Sequence, residues 1–525
     1  MGMKLSPESL DWALRHVEKY SDTNIFPRPF EYQVLGHEWS EVRNYLVSQE
    51  LAKYAARVER RCITPKARFG FRESTQLDPL DCLLFTALVY EAGEQIEHSR
   101  MPSGEGSVFS YRFDPTQEGD FFRKEAAYEA FQARSRALSE SRKITHVVVA
   151  DVADFFPRIY LHRVRSSLEE AQVNGDHAAA IERLIKQWNH NVSYGIPVGP
   201  RASNLLAEIT LNPVDRALKS QDILFVRYVD DYRLFCQGER KAYRSLIQLA
   251  NELYRLEALT LQQHKTKIMP VEEFVASLNV DVRDDEVMQA REKFQELISK
   301  AGDPGPYEQA DLEMLSSEER RELEQLRIVD ILFAATQQFS TNIQFAKFVL
   351  RALTQLNRPE PAVHIVKKLE AFYPVVADVM KYFSSVAAPL GKHREVIGWE
   401  LLRFLRSSLI ADLPYNRMWM AWLLSSGEWG RPQELVTLYN ENPEHWSRRK
   451  LVLGLGRTGQ SQSFASRSRD YLDLSSWERR AFFYGATCMP HDQRVHWLQY
   501  ALTRSDDPLD KAVIQWALVN PISST

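Results

Sequence analysis

Two short β-branched runs, each leading to aspartate, interrupt a chain whose other apolar residues mostly recur at helical spacing. Ile144–Val149 (ITHVVV) leads to Asp151, and Leu224–Val229 (LFVRYV) leads to the pair Asp230 and Asp231. Apolar, β-branched runs of this length read as buried strands and are too short for helices of their own. A third such run, Tyr232–Cys236, follows the acidic pair at once, which predicts a hairpin with the two aspartates at its tip. Between the first strand and the hairpin, helical patterns occupy 161–172, 176–190 and 201–219. This alternation predicts an α+β domain whose sheet carries helices on one face.

Carboxylates delivered from one strand end and one hairpin tip suit a particular chemistry. Two-metal nucleotidyl transfer needs oxygen ligands that hold two divalent ions about 4 Å apart, so that an attacking hydroxyl and a leaving oxyanion are both stabilised. A hard, oxygen-rich donor set points to Mg²⁺, two ions in this case, with Mn²⁺ as a substitute. Asp151, Asp230 and Asp231 are the candidate ligands, with the backbone of Val152 beside them.

The rest of the chain sets the frame. At 525 residues it accommodates two or three domains. Lys and Arg total 66 against 70 Asp and Glu, a formal charge of −4, which on its own argues against a nucleic-acid enzyme. Local charge runs the other way, for seven Lys or Arg and one acid, Glu59, lie between Lys53 and Arg72. Such a cluster is either a phosphate-binding footprint or a solvated helix face. The four cysteines (62, 82, 236 and 488) have no metal-ligand spacing and suggest neither a zinc site nor a disulfide framework. The first 22 residues read as an amphipathic helix started by Ser6-Pro7-Glu8, without the apolar core of a secretion signal, and no run of about 18 apolar residues occurs. A cytoplasmic protein with no membrane partner is the expectation. Residues 1 to about 145 read as helices, with Asp78 and Pro79 opening a long one, broken by Pro102–Ser107. Gly302–Pro306 is the best linker, and beyond it amphipathic helices follow one another to the end. Eight of the eleven tryptophans fall after residue 390, which marks a separate module whose rings read as core rather than as base-stacking platforms.

Four segments in order carry a family resemblance: Asp151–Phe156 (DVADFF), Gly195–Ser203 (GIPVGPRAS), Tyr228–Asp231 (YVDD) and Leu259–Lys267 (LTLQQHKTK). They resemble motifs A, B, C and D of reverse transcriptases. The resemblance implies a right-hand fingers–palm fold of reverse-transcriptase type, an α+β fold, followed here by an all-α, HEAT-like helical-repeat domain. The corresponding boundaries are 1–145 for an N-terminal extension and fingers and 146–282 for the palm. A thumb-like segment and linker occupy 283–340, and the helical repeats 341–525. By position, Asp151, Asp230 and Asp231 would be catalytic, and Lys265 would meet the leaving pyrophosphate. Phe156 would be the steric gate against a 2′-hydroxyl. Pro197, Val198 and Gly199 would approach the nascent base pair, with Ser203 on the helix that follows. Arg68 and Arg72 would grip the triphosphate. Val198 departs from the glutamine that many family members carry at that place.

The GIPVGPxxS series and the helical C-terminal half look most like the bacterial abortive-infection, or defence-associated, reverse transcriptases. That resemblance implies an RNA-directed DNA polymerase acting in antiviral (antiphage) defence. It would copy an associated non-coding RNA or make untemplated DNA, using dNTPs, and assemble as a trimer or hexamer. Tyr307 is one candidate for a protein hydroxyl that primes synthesis. A retron-like or mobile-element reverse transcriptase is an alternative, and so is a catalytically inactive palm that serves as an RNA-binding or assembly scaffold.

Overall fold

The computed structural model describes residues 3–67, 69–123, 127–278, 285–302, 308–326, 343–427, 429, 432–441, 444–466 and 471–521. Arg68 and Tyr307 therefore lie outside the described residues. The chain forms two compact units. One comprises Met1–Arg61 and Ser74–Asp281, the other Cys62–Glu73 and Val282–Thr525.

The first unit is built on a four-stranded antiparallel sheet. Its strands are β3 (His146–Asp151), β4 (Phe225–Tyr228), β5 (Asp231–Cys236) and β6 (Lys267–Pro270), in the order β4-β5-β3-β6. Strands β1 (Arg60–Ala67) and β2 (Gly70–Gln76) form a separate hairpin. Helices cover both faces of the larger sheet, not one as its pattern predicts. On one face, Val147, Val226, Phe235 and Met269 pack with Phe131 and Phe274 from helices Ala127–Ser139 and Val271–Leu278. On the other, helices Arg201–Ser220 and Glu239–Glu257 receive the alternate residues, among them Tyr232, which bonds Asp215, and Cys236, which bonds Ser245. The physical reason is visible in β3, where neighbouring Val147 and Val148 are both fully buried although they point to opposite sides.

Local capping follows the sequence. Ser6 accepts from the Ser9 amide to start helix Pro7–Tyr20, and Asp78 accepts from Leu80 to start Pro79–Ser99. The β1–β2 hairpin was not foreseen, because its polar residues and Pro65 hide the alternation of a strand. The basic cluster around it is largely occupied internally. Arg57 pairs with Asp78 at 2.8 Å, and Arg61 binds Glu59, the Trp188 carbonyl and Asn189. Lys66 and Arg72 are exposed.

In the second unit every described regular element after residue 285 is helical. Helices Ile343–Gln355, Val376–Ser385, Pro414–Leu424, His445–Arg457, Ser476–Gly485 and Pro508–Val519 touch in succession as one row, with shorter or flanking helices beside them. Their starts are separated by 33, 38, 31, 31 and 32 residues, so each turn of the array is a helix pair. These units are shorter than the about 40–47 residues usual in HEAT arrays. Close crossing is enforced at Gly456, where a Cβ would lie 2.6 Å from the Gly485 Cα. Trp419, Trp429, Trp446, Trp477, Trp497 and Trp516 are buried, and Trp399 is exposed, so these rings serve mainly as core. None of the described helices is long and apolar enough to cross a membrane.

Candidate active site

Asp151 ends β3 and is paired in register with Asp231, the first residue of β5. Tyr228 faces Asp231 across β4 and β5, so the turn residues of the hairpin are Val229 and Asp230. The tip is thus shifted by one residue from the predicted acidic pair, and Asp231 lies within the ladder. Val229 adopts φ +56°, a left-handed conformation that β-branched side chains disfavour, which is why the turn is illegible from composition.

One carboxylate oxygen from each of Asp151, Asp230 and Asp231 lies within 4.8 Å of the others. Asp151 is buried, Asp230 half-buried, and Asp231 keeps access to solvent. Desolvation within the site, together with repulsion from Asp230 and Asp151, pushes the Asp231 carboxyl up to about 7. Lys265 donates to Asp151 Oδ1 at 2.9 Å. Partial burial works to lower its ammonium, but the hydrogen bond to Asp151 and the three carboxylate charges outweigh it and hold it above its ordinary value. Three crowded carboxylates, one carrying an elevated proton affinity, form a hard oxygen donor set that fits divalent cations.

Backbone hydrogen bonds join the four sequence segments around this cluster. Val152 N–H donates to the Asp230 carbonyl at 3.1 Å, and Gln262 N–H donates to the Asp151 carbonyl at 2.7 Å. Lys265 thereby stands beside Asp151 in the single turn Gln263–Lys265. Ile196 N–H donates to the Phe156 carbonyl at 3.0 Å, and Thr75 N–H donates to the Val198 carbonyl at 2.9 Å. Gly199 has φ +147°, and a Cβ there would meet the Thr75 carbonyl oxygen at 2.8 Å, so close backbone approach demands glycine. Pro197 is buried and Val198 half-buried. The Ser203 side chain is fully buried in the first turn of helix Arg201–Ser220, and its Oγ has no hydrogen-bond partner among the described residues.

Phe155 is core, whereas Phe156 is half-buried. Adjacent residues on a strand would face opposite sides. These two diverge instead within the one-turn helix Phe155–Arg158. Arg72 is exposed on β2 and belongs to the second unit.

A set of buried polar residues behind the hairpin escaped the sequence reading. Arg227 forks onto Asp215 through Nε and Nη2 at 2.9 and 2.6 Å, and its Nη1 donates to Glu208 at 3.0 Å. Glu208 also accepts from Arg100 at 2.7 Å and from Ser110. Burial acts to depress the Arg227 guanidinium, but the Asp215 and Glu208 charges prevail and hold it well above its ordinary range. The available signal was two acids seven residues apart on one face of an apolar helix.

Residues 105–289 match the family model described as reverse transcriptase (RNA-dependent DNA polymerase). All four motif segments fall inside that range. No curated protein matches the chain. Among solved structures, it is similar to a Candida albicans telomerase in complex with a fragment of telomeric RNA. That likeness has 11% identity and a TM-score of 0.33, and covers 75% of this chain and 71% of the other. It is likewise similar to an apo telomerase from Candida tropicalis, at 12% identity and a TM-score of 0.32, covering 80% and 74%. Domains of the matched family act on nucleotides and nucleic-acid templates with divalent metal ions. The chain therefore carries a reverse transcriptase domain, the nucleotidyltransferase domain of an RNA-directed DNA polymerase.

Proposed function

We propose that the protein is a DNA-synthesising reverse transcriptase of bacterial antiphage defence, with Asp151, Asp230, Asp231 and the Val152 carbonyl as ligands of two Mg²⁺ ions. The observation that carries this reading is the convergence of three carboxylate oxygens within 4.8 Å at the junction of the four ordered motifs. Bound there, Mg²⁺ supplies activation of the attacking hydroxyl and neutralisation of charge at the α-phosphate. The chain's own groups do the rest. Lys265 offers an ammonium, 64% exposed, to the leaving pyrophosphate. Phe156 abuts the sugar of the incoming nucleotide and excludes a 2′-hydroxyl. The Pro197–Gly199 backbone approaches the nascent pair, Ser203 packs inside the helix that follows and supports that loop, and Arg68 and Arg72 are assigned to the triphosphate by their place in the sequence. The defence role, copying of a non-coding RNA or untemplated synthesis, and a trimeric or hexameric assembly in the bacterial cytoplasm rest on the GIPVGPRAS series and the helical C-terminal half.

The test is purification from a native context, sequencing of co-purified nucleic acid, and incubation with Mg²⁺ and labelled dNTPs beside an Asp230→Ala/Asp231→Ala control. Labelled DNA from the wild type, reduced about a thousandfold or more in the control, is the expected result. Its sequence distinguishes a bound RNA template from untemplated synthesis. If neither protein makes DNA with its bound RNA and all four dNTPs, the polymerase reading fails and an inactive scaffold replaces it. Phe156→Ala should admit ribonucleotides; unchanged sugar discrimination would remove Phe156 from the gate.

A further inference from the structure

The turn that presents Asp230 is held in an unfavourable backbone conformation. Val229 lies at φ +56°, where its branched Cβ crowds the neighbouring backbone. Such a conformation persists only where the surroundings over-determine it. Here both polar groups of the Val229 residue are fixed from behind. Its N–H donates to Ser110 Oγ at 2.8 Å, and its carbonyl accepts from Arg227 Nη1, also at 2.8 Å.

Neither anchor is free to move. Ser110 Oγ accepts from Val229 and donates its own proton to Glu208 Oε1. Glu208 Oε2 takes Arg100 and Arg227, while Arg227 also forks onto Asp215, which accepts from the Tyr232 hydroxyl. Ser110, Glu208, Asp215, Arg227 and Tyr232 are each at most 1% exposed. Ser110 is itself delivered by a short edge segment. Arg227 N–H donates to the Ser107 carbonyl at 2.7 Å, and Phe109 N–H donates back to the Arg227 carbonyl at 3.1 Å. With Glu97 and Arg112, which extend the set from Arg100, three arginines and three acids balance in charge, so the cluster needs no external ion of its own.

We infer that Ser110 and Arg227, braced by Glu208 and Asp215, are positioning residues that lock the Val229 peptide and so hold the Asp230 carboxylate where a divalent ion needs it. The inference rests on the proposed metal role of Asp230. None of these residues touches the ion or the nucleotide; they act through one turn. Partners one shell removed from a metal set its affinity by fixing ligand geometry.

The measurement is Mn²⁺ binding to the full chain, read from the free-ion electron paramagnetic resonance signal, with the thermal midpoint recorded beside it. Ser110→Ala removes one of the two holds and should weaken Mn²⁺ binding about tenfold. Adding Val229→Gly to Ser110→Ala should recover most of that loss, because glycine takes the left-handed conformation unaided. If Ser110→Ala does not fold, Ser110→Cys, close in size and a poor acceptor, carries the same expectation. Unchanged Mn²⁺ affinity with a lowered midpoint would mean a purely structural role and overturn the inference, as would a failure of Val229→Gly to recover binding. Asp230→Ala separates this from the reading beneath it. If that variant binds Mn²⁺ like the wild type, the carboxylate assignment is what fails.

Discussion

Buried charge is used differently in the two units. Behind the palm hairpin, Arg227, Arg100, Glu208 and Asp215 form a connected set that reaches the backbone of one strained turn through Arg227 and Ser110. In the helical array, ion pairs join one helix to the next. Arg479 meets Asp510 at 2.7 Å, and Arg448 and Tyr439 share Glu478. Aromatic contacts repeat that logic, as where Tyr484 and Trp516 stack with ring centroids 4.9 Å apart. Polar burial in the array adds to packing that already favours the fold. In the palm it sustains a conformation and a crowding of carboxylates that the fold alone would avoid. A site under strain of this kind is a mark of function, and its stability is supplied elsewhere.

Three substitutions can break this contrast. Arg227→Leu should be the most damaging, lowering stability by about 3–5 kcal/mol because Asp215 is left buried without its cation and Glu208 keeps only Arg100. Urea unfolding would show it, and an effect no larger than that of an ordinary surface change would refute this picture. Arg479→Leu in the array should lower stability by about 1–3 kcal/mol, since Asp510 loses its partner. Nucleotide incorporation per folded molecule should stay as in the wild type, and a specific fall in incorporation would give the array a catalytic part it is not assigned here.

The smallest effect has the opposite sign. Asp231 has a folded-state carboxyl raised to about 7 against an ordinary value of 3.8. The folded state therefore holds this proton after the unfolded state has lost it, and the metal-free protein loses stability as pH climbs from about 4 through 7. Asp231→Asn should flatten that slope and, without metal, stabilise the protein at pH 8 by about 1 kcal/mol once solvent screening is allowed for. It should at the same time weaken divalent-ion binding. Equal melting of the two proteins across pH 5–8 would show that the carboxylates do not oppose one another.

The parts of the molecule legible in advance were those where one residue type announces both structure and chemistry. Asp151 after an apolar strand, an acidic pair after a second strand, and a lysine downstream are such signals, and the structure brings all four side chains together. Exact turn geometry was not legible, because Val229 takes a conformation that its own side chain disfavours. β6 has four residues and carries too little pattern to stand out. Ser110 sits in a loop, and its role exists only through tertiary contact with Val229 and Glu208. The sheet's second helical face follows from strands that are apolar on both sides, a signal that the order of helices and strands along the chain does not carry.

The β1–β2 hairpin limits how the chain can be cut into independent parts. By its contacts, Cys62–Glu73 belongs with the helical array, although residues before and after it belong to the palm unit. The chain thus passes from one unit to the other and back before the array proper begins. A gene fusion or deletion with a single junction near residue 282 would exchange the long helical segment and leave its twelve-residue outpost behind. Replacing the long helical segment alone would leave Cys62–Glu73 without the unit it belongs to, so the two segments act as one piece despite the roughly two hundred residues between them.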